Sequence, residues 1–422
     1  MRRAVARSTP RRTPSSHAWR RPAPPPLLFR GWLVVAGAFL VLMAGYGAAY
    51  SYAAFAAELE EAFGASRASV SMVYAICGCA AFAVSAVSGP LADRIGPRPL
   101  AAAGMGLVAI GLLAAAAART LLEIYFCYGL VIGLGIGFAY VPAMAAVQRW
   151  FVAWRGLASG MAAAGIGVGT ALVPPAAWAA AALDGWRMAF VAAGIAVAVV
   201  GIGGALLLAE SPERYGERCD GDAAAPALPT AEGPGLAEAL RCRSFWLYYA
   251  GTLLVSMPIS LPFAHLAQSA TDVGMPRTEA LALLSLLGIG SIIGRFALGA
   301  VADEIGREAT FLGCSTAVVG LTALWALADS HLLLVAFAVG FGAAYGGFVA
   351  LLPAVTADRF GRRGVGGVIG VLFTGRGIAL LVAAPALALL TGWTGGYALP
   401  LGMMALVGGV GVALLAIVPR SS

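Results

Sequence analysis

Residues 67–98 read RASVSMVYAICGCAAFAVSAVSGPLADRIGPR, and residues 277–308 read RTEALALLSLLGIGSIIGRFALGAVADEIGRE. At an offset of 210 the two stretches align without a gap. Arg67 meets Arg277, Gly78 meets Gly288, Gly89 meets Gly299, Asp93 meets Asp303 and Gly96 meets Gly306. The whole chain holds only 20 acidic residues among 422, so the coincidence of an acid and several glycines in one frame is not a chance match. Near the same offset Pro142 faces Pro353, and Gly165-Ile166-Gly167 faces Gly375-Arg376-Gly377. Self-similarity of this extent means that one architectural unit is built twice.

The composition says what kind of unit. Hydrophobic residues make up 60% of the chain and charged residues 11%, against about 25% charged in a soluble domain. Too few charges are present to cover a water-facing surface. A soluble multidomain enzyme, a nucleic-acid-binding domain and a disordered protein are all excluded on this count. Crossing a hydrocarbon core takes ~20 mostly apolar residues. Twelve such runs are present, at 31–54, 69–91, 100–118, 122–147, 155–180, 186–209, 244–268, 279–302, 309–328, 331–356, 364–390 and 394–418. They are too long and too uniformly apolar for barrel strands of ~10 alternating residues. The first exceeds a signal-peptide core of roughly 7–15 residues and is followed by eleven more, so it is read as a retained helix. The expected fold is an all-α membrane protein with twelve transmembrane helices in two pseudo-symmetric six-helix bundles. Its parts are a disordered basic tail (1–30), an N-terminal bundle (31–209), a linker (210–243) containing Pro226, Pro229, Gly233 and Pro234, a C-terminal bundle (244–418) and a short C-terminus (419–422). Parallel six-helix repeats place a site between the bundles near the midplane.

All 27 basic residues are arginine. Twelve spans put both termini on one side, and 21 of the arginines lie on that side, eight of them in the tail. Four, Arg67, Arg119, Arg187 and Arg277, lie on the opposite face. The positive-inside rule then places both termini and the linker in the cytoplasm, in a cytoplasmic (inner) membrane. The net charge of +7 reflects orientation and gives no support to nucleic-acid binding. The six cysteines fall in spans or on the cytoplasmic side, where thiols stay reduced, and read as small packing residues. No metal or cofactor site is expected.

Gly89-Pro-Leu-Ala-Asp93-Arg94-Ile-Gly96-Pro-Arg98 resembles the loop G-x-L-a-D-r-x-G-r-k between helices two and three of the major facilitator superfamily. Gly299-Ala-Val-Ala-Asp303-Glu304-Ile-Gly306-Arg307 resembles its second-half copy. The resemblance covers nearly the whole chain and implies the major facilitator fold. Pro97 departs from the pattern, which often has a basic residue there. Gly89 and Gly299 permit close helix approach. Asp93 and Asp303, at helix ends, are able to pair with arginines or meet the positive N-terminus of a neighbouring helix. Such contacts would latch the halves in the outward-facing state; the competing reading is a solvated turn.

Two arginines remain, Arg295 and Arg376, and both fall inside apolar runs. At 1.5 Å per residue, Arg295 lies about 12 Å and Arg376 roughly 18 Å from the face that carries the termini. A cation there costs at least ~2.5–3.5 kcal/mol and needs a partner. No buried carboxylate is available, because every acid lies in a loop, a tail or a span end. The missing anion is therefore read as the substrate, held by guanidinium groups whose forked N–H donors match a carboxylate. Satisfaction by backbone carbonyls or snorkelling is the competing reading. The offset partners of the two arginines are Ser85 and Ile166, so the charge is confined to the second half.

Gly294-Arg295-Phe-Ala-Leu-Gly299 also resembles the arginine site of the monocarboxylate transporter and oxalate–formate antiporter families. Thr374-Gly-Arg376-Gly377 resembles the antiporters' basic position, and Gly31-Trp32, Tyr50-Ser-Tyr52, Tyr140-Val-Pro142, Trp150-Phe151 and Arg155-Gly156 match as well. The resemblance implies that Arg295 and Arg376 clamp a small organic anion, a mono- or dicarboxylate. The proton-coupled carriers have an aspartate one turn before the arginine; Ser291 stands there. Anion exchange or uniport is therefore expected over proton symport. His265, near the outer end of its span, is the one candidate proton site, and lining an outer vestibule is its alternative role.

Tyr46 and Tyr50 share a helix face. With Tyr140 and Tyr345 they are candidate cavity residues, since a phenol donates to a carboxylate while its ring excludes larger ligands. Packing or lipid contact is an equal reading for each. The runs Gly133-Leu-Gly135-Ile-Gly137 and Gly165-Ile-Gly167-Val-Gly169 mimic phosphate loops but follow no strand, so helix packing explains them. Pro174-Pro175 suggests a kink. The expected protein is a non-enzymatic, monomeric carrier whose partners are a small organic anion and the lipid bilayer. Its rivals are a proton-coupled monocarboxylate symporter, a drug or metabolite exporter, which the buried arginines disfavour for cations, and a non-transporting membrane sensor or intramembrane enzyme, for which no sensory domain or nucleophile–base pair is present.

Overall fold

The computed structural model describes residues 25–26, 28–221, 233 and 235–418. The basic tail expected at 1–30 lies mostly outside the described residues, as do most of the linker beyond 221 and the last four residues. Among the described residues twelve helices are long and apolar enough to cross a membrane. These are α1 (Gly31–Tyr52), α2 (Met72–Ile95), α3 (Pro97–Ala116), α4 (Leu121–Trp150), α5 (Arg155–Val173), α6 (Gly185–Leu207), α7 (Arg243–Asp272), α8 (Ala282–Ile305), α9 (Arg307–Ala326), α10 (His331–Phe360), α11 (Val365–Thr394) and α12 (Ala398–Ile417). No strand occurs among them. Large apolar side chains such as Ile110, Leu332 and Leu406 stand exposed on the outer faces, where hydrocarbon rather than water is the compatible solvent.

The helices begin and end where local chemistry dictates. Ser66 caps the helix leading into α2, its hydroxyl accepting from the Ser69 N–H at 3.2 Å, which satisfies one of the orphan donors of a helix start. Between α2 and α3 the chain turns at Gly96 (φ 90°), and between α8 and α9 at Gly306 (φ 107°). Only glycine adopts such angles without strain, so the repeat conserves the glycine because it conserves the turn. Helix geometry runs unbroken from α5 into α6 through Pro174 and Pro175 and leaves the helical region only at Gly185 (φ 78°).

Each half packs first on itself, α1 against α5 and α8 against α10. The halves meet along α2–α11 and α5–α8. On the end that carries the termini these two seams are glycine-built. Gly156 on α5 faces the Gly299 carbonyl of α8, and Gly160 faces the Arg295 carbonyl. Gly366 on α11 faces the Gly89 carbonyl of α2, and Gly370 faces the Ser85 carbonyl. Every pair maps onto its counterpart at the offset of 210. Without side chains in the way the backbones approach closely, and dispersion contacts accumulate along the seam.

The stretch around the linker is more ordered than a tail-and-linker reading implies. Phe29 is 5% exposed and sits against the rings of Trp150 (5.6 Å between centroids) and Phe151 (5.5 Å). Asp220, left-handed at φ 58°, turns its carboxylate onto three backbone N–H groups between α4 and α5: Val152 (3.1 Å), Ala153 (2.9 Å) and Trp154 (3.3 Å). Aspartate is among the few residues that tolerate this backbone region.

Candidate functional site

A cavity of about 130 Å³ lies between the two halves, lined from α1, α2, α4, α5, α7, α10 and α11. Along α2 the seam residues come at 85 and 89 and the lining residues at 74–82; along α11 the seam comes at 366 and 370 and the lining at 376 and 380. The cavity therefore sits on the far side of the seams from the termini.

Tyr46, Tyr50, Tyr140, Tyr345 and Arg376 all line it. Tyr46 and Tyr50 come from one face of α1, a turn apart, with ring centroids 6.5 Å from each other. Tyr140 stands edge-on to Tyr46 at 5.9 Å. The Tyr140 hydroxyl is buried and has no hydrogen-bond partner among the described residues. Sequence reasoning missed Tyr74, Phe82 and Phe263, and the pair Ser256 and Ser260 on α7. The i, i+4 spacing of Tyr74–Gly78–Phe82 and of Ser256–Ser260 was the signal available.

The two arginines part company. Arg376 is half-buried in the wall. Its guanidinium carbon lies 5.9, 5.9 and 5.4 Å from the ring centroids of Phe82, Phe348 and Phe373. Ring faces attract a cation without neutralising it, and guanidinium N–H groups keep their in-plane donors. Arg295 is not a wall residue. It is 2% exposed, 5.9 Å from the Tyr345 ring centroid, and its Nε and Nη1 find no hydrogen-bond partner among the described residues. One turn earlier the Ser291 hydroxyl is likewise buried and unpartnered. Among the described lining residues there is no carboxylate and no histidine. Leaving buried charged donors unmade is expensive, so this region carries uncompensated positive charge beside a space of ligand size.

His265 does not line the cavity either. Its Nε2 lies 3.0 Å from the Ala384 carbonyl oxygen and so ties α7 to α11.

At the terminus-bearing end the two motif aspartates do the same thing in both halves. Asp93 accepts from the N–H groups of Gly366 (3.2 Å) and Gly367 (2.8 Å), the first turn of α11, and pairs with Arg149. Asp303 accepts from Gly156 (2.8 Å) and Leu157 (2.8 Å), the first turn of α5, and pairs with Arg307 at 2.8 Å. Each carboxylate crosses to the other half and meets the positive end of a helix. The solvated-turn reading is not what the structure has. The motif arginines differ in use: Arg94 is exposed, and Arg98 is exposed with its Nε donating to the Leu208 carbonyl at 3.0 Å. Pro97 has a structural consequence. Its repeat counterpart Arg307 bridges Asp303 and Asp358, while Asp358 also pairs with Arg155. The α5–α8 seam thus carries a chain of ion pairs running through Asp358, whereas at the α2–α11 seam Asp93 pairs with Arg149 and Arg362 with Glu213.

A helical bundle pair of this topology, with a central cavity and mirrored latches, defines a secondary-transporter architecture. The Major Facilitator Superfamily profile matches residues 37–268 and 248–422, and the chain belongs to that superfamily. Within it the chain stands close to the monocarboxylate transporters. It is 28% identical over 392 residues to monocarboxylate transporter 12-B of Danio rerio (87% of this chain, 82% of that one). It is 30% identical over 378 residues to monocarboxylate transporter 3 of Rattus norvegicus (87% and 75%). Among solved structures, FucP in the outward conformation matches with a TM-score of 0.72 at 14% identity, covering 93% of this chain and 99% of that one. The chain is therefore a multi-pass membrane transporter for small organic substrates, and not an enzyme.

Proposed function

We propose that the chain carries small organic anions, mono- or dicarboxylates, by alternating access, as an exchanger or uniporter, in the cytoplasmic membrane with both termini inside. The observation that carries this reading is the pair of mid-span guanidinium groups, Arg295 and Arg376, without a carboxylate partner among the described residues, one of them in the cavity wall. An anion entering from the far side meets Arg376 first. Its charge neutralises the wall cation, and Arg295 lies close enough behind to add to the favourable potential. Tyr46, Tyr50, Tyr140 and Tyr345 offer hydroxyl donors and set the width of the site.

The same charge explains why exchange is favoured. Closing the cavity around a bare guanidinium removes it from water at a cost of at least ~2.5–3.5 kcal/mol, whereas closing it around an ion pair costs less. An empty carrier then returns slowly and a loaded one quickly. The absence of a carboxylate or histidine from the described wall speaks against a proton relay. The glycine seams with their aspartate latches close the cytoplasmic side in this state. Gly89, Asp93, Gly96, Gly299, Asp303, Gly306 and Arg307 form that gate, Arg98 braces it through the Leu208 carbonyl, and Arg94 supplies surface charge beside it.

Counterflow in proteoliposomes tests the proposal. Labelled organic anion should accumulate against entrapped unlabelled anion with and without a pH gradient, and Arg376→Gln and Arg295→Gln should each impair it. Uphill uptake driven by inward protons would replace exchange by proton symport; normal counterflow in both variants would remove the arginines from the site.

A further inference from the structure

We infer that the terminus-bearing end of the C-terminal bundle holds an aminophospholipid, its phosphate on Arg359 and its primary ammonium on Glu308. The site is a second cavity, of about 350 Å³, between α7, α9, α10 and α12. That volume falls within the ~300–1,000 Å³ of ligand pockets. The cavity shares no lining residue with the central one. Buried Tyr248, Phe311 and Leu415 form its floor, and exposed Ala309 on α9 and Ala416 on α12 form its rim.

The repeat shows that Arg359 has changed its task. At the offset of 210 it is the copy of Arg149. Arg149 pairs with Asp93 in the latch of the α2–α11 seam, but in the second half it is Arg307 that pairs with Asp303. Arg359 turns into its own bundle instead. Its guanidinium carbon lies 5.5 Å from the Tyr248 ring centroid and its Nη2 pairs with Glu308. The Arg359 side chain is 9% exposed and that of Glu308 39%. A buried ion pair recovers little of its desolvation cost, so stability alone is a weak reason to keep one.

Adjacent opposite charges match a zwitterionic headgroup. Guanidinium N–H donors suit phosphate oxygens, and a primary ammonium has three donors to offer a carboxylate. An anionic headgroup without an amine would meet Glu308 as a like charge. A choline nitrogen has no N–H to give it. Depth and surroundings favour a lipid over a soluble zwitterion. Glu308 stands in the first turn of α9 and Arg359 in the last turn of α10. Exposed Trp246, two residues before Tyr248, stands at the same end of α7, the level at which interfacial tryptophans sit. Basic pockets between helix ends on that side are suited to headgroups. Away from the rim, small residues continue at Gly313 and Gly320 on α9 and Gly409 on α12, where a Cβ would meet nothing within 4 Å. An acyl chain can lie along that shallow apolar track.

Native mass spectrometry of the purified full-length protein in detergent tests this. It is titrated with phosphatidylethanolamine, phosphatidylcholine and phosphatidylglycerol of one acyl composition, and with glycerophosphoethanolamine as the chain-free headgroup. Phosphatidylethanolamine should bind about tenfold tighter than any of the other three, as for one charge-assisted hydrogen bond gained. Glu308→Gln removes the acceptor of the ammonium and the like charge that faces phosphatidylglycerol, so the ratio of the two affinities should fall at least tenfold; a merely structural Glu308 would leave that ratio alone. Arg359→Gln should weaken every phospholipid about tenfold. If that variant does not fold, the Glu308→Gln ratio decides alone. Equal affinity for the three lipids, or an unchanged ratio in Glu308→Gln, would overturn the inference. Glycerophosphoethanolamine as tight as the intact lipid would overturn it in favour of a soluble zwitterion.

Discussion

Replacing Gly156 with alanine probes the seam between α5 and α8 with a single methyl group. A Cβ at that position would lie 2.5 Å from the Gly299 carbonyl oxygen and 2.8 Å from Asp303 Oδ1. Ordinary carbon contacts begin near ~3.5 Å, so the helices must part by about 1 Å. Both groups are backbone or latched, so neither swings away. The Asp303 bonds to Gly156 and Leu157, each 2.8 Å, would stretch past hydrogen-bonding range. Hydrogen bonds to a charged group contribute ~1.5–3 kcal/mol each, so about 3 kcal/mol is lost from the closed conformer. Alanine returns up to ~1 kcal/mol through helix propensity, but in both conformers alike, so it does not change the balance. Partial relaxation reduces the net to about 2 kcal/mol, roughly a 30-fold shift toward the conformer open on the terminus-bearing side. Spin labels at Ile95 and Ile305, exposed helix ends in opposite halves, report this ratio by pulsed electron resonance in a background without native cysteines. Gly288→Ala is the control: nothing lies within 4 Å of its Cβ position, and the ratio should not move. A Gly156→Ala protein whose distance distribution matches wild type would refute the seam argument.

Other outcomes follow from the same geometry. Asp303→Asn keeps the shape of the latch but discharges it, and should shift the same label ratio about tenfold in the same direction. Tyr140→Phe removes a hydroxyl that has no partner in this conformer; thermal stability should hold while anion affinity falls roughly tenfold, as for one lost bond to a charged ligand. Asp220→Ala strips acceptors from three backbone N–H groups and should lower thermal stability by about 2–3 kcal/mol, whereas Asp220→Asn, which tolerates φ 58° and retains a carbonyl acceptor, should lose far less. His265→Gln should leave the pH profile of counterflow unchanged, and a flattened profile would return His265 to the mechanism.

Depth along a helix is legible in the sequence; azimuth about its axis is not. Counting residues along an apolar run set Arg295 and Arg376 near mid-membrane, because rise per residue is constant. It did not say which of them faces the cavity, because the rotation of each helix about its axis depends on packing against neighbours, and a stripe of Gly, Ala, Ile and Leu encodes that phase weakly. Arg376 thus reached the wall with four predicted tyrosines, while Arg295 turned toward Tyr345. The repeat legibly marked Gly89, Asp93 and Gly96 with their copies. It also contained Gly156 with Gly366 and Gly160 with Gly370, but in a chain with 56 glycines those matches do not stand out until the seams show what they touch. Asp220 was invisible for another reason: its partners are backbone amides, which leave no trace in side-chain pattern.

The proposed transport depends on Arg376 holding an anion in the cavity. Calorimetric titration of an organic monocarboxylate into wild type and Arg376→Gln tests that most directly. Loss of a bidentate, charge-assisted pair worth about 3 kcal/mol predicts a Kd raised about 100-fold in a variant that unfolds at the wild-type temperature or above. A folded Arg376→Gln protein that binds the acid with wild-type affinity would contradict the account.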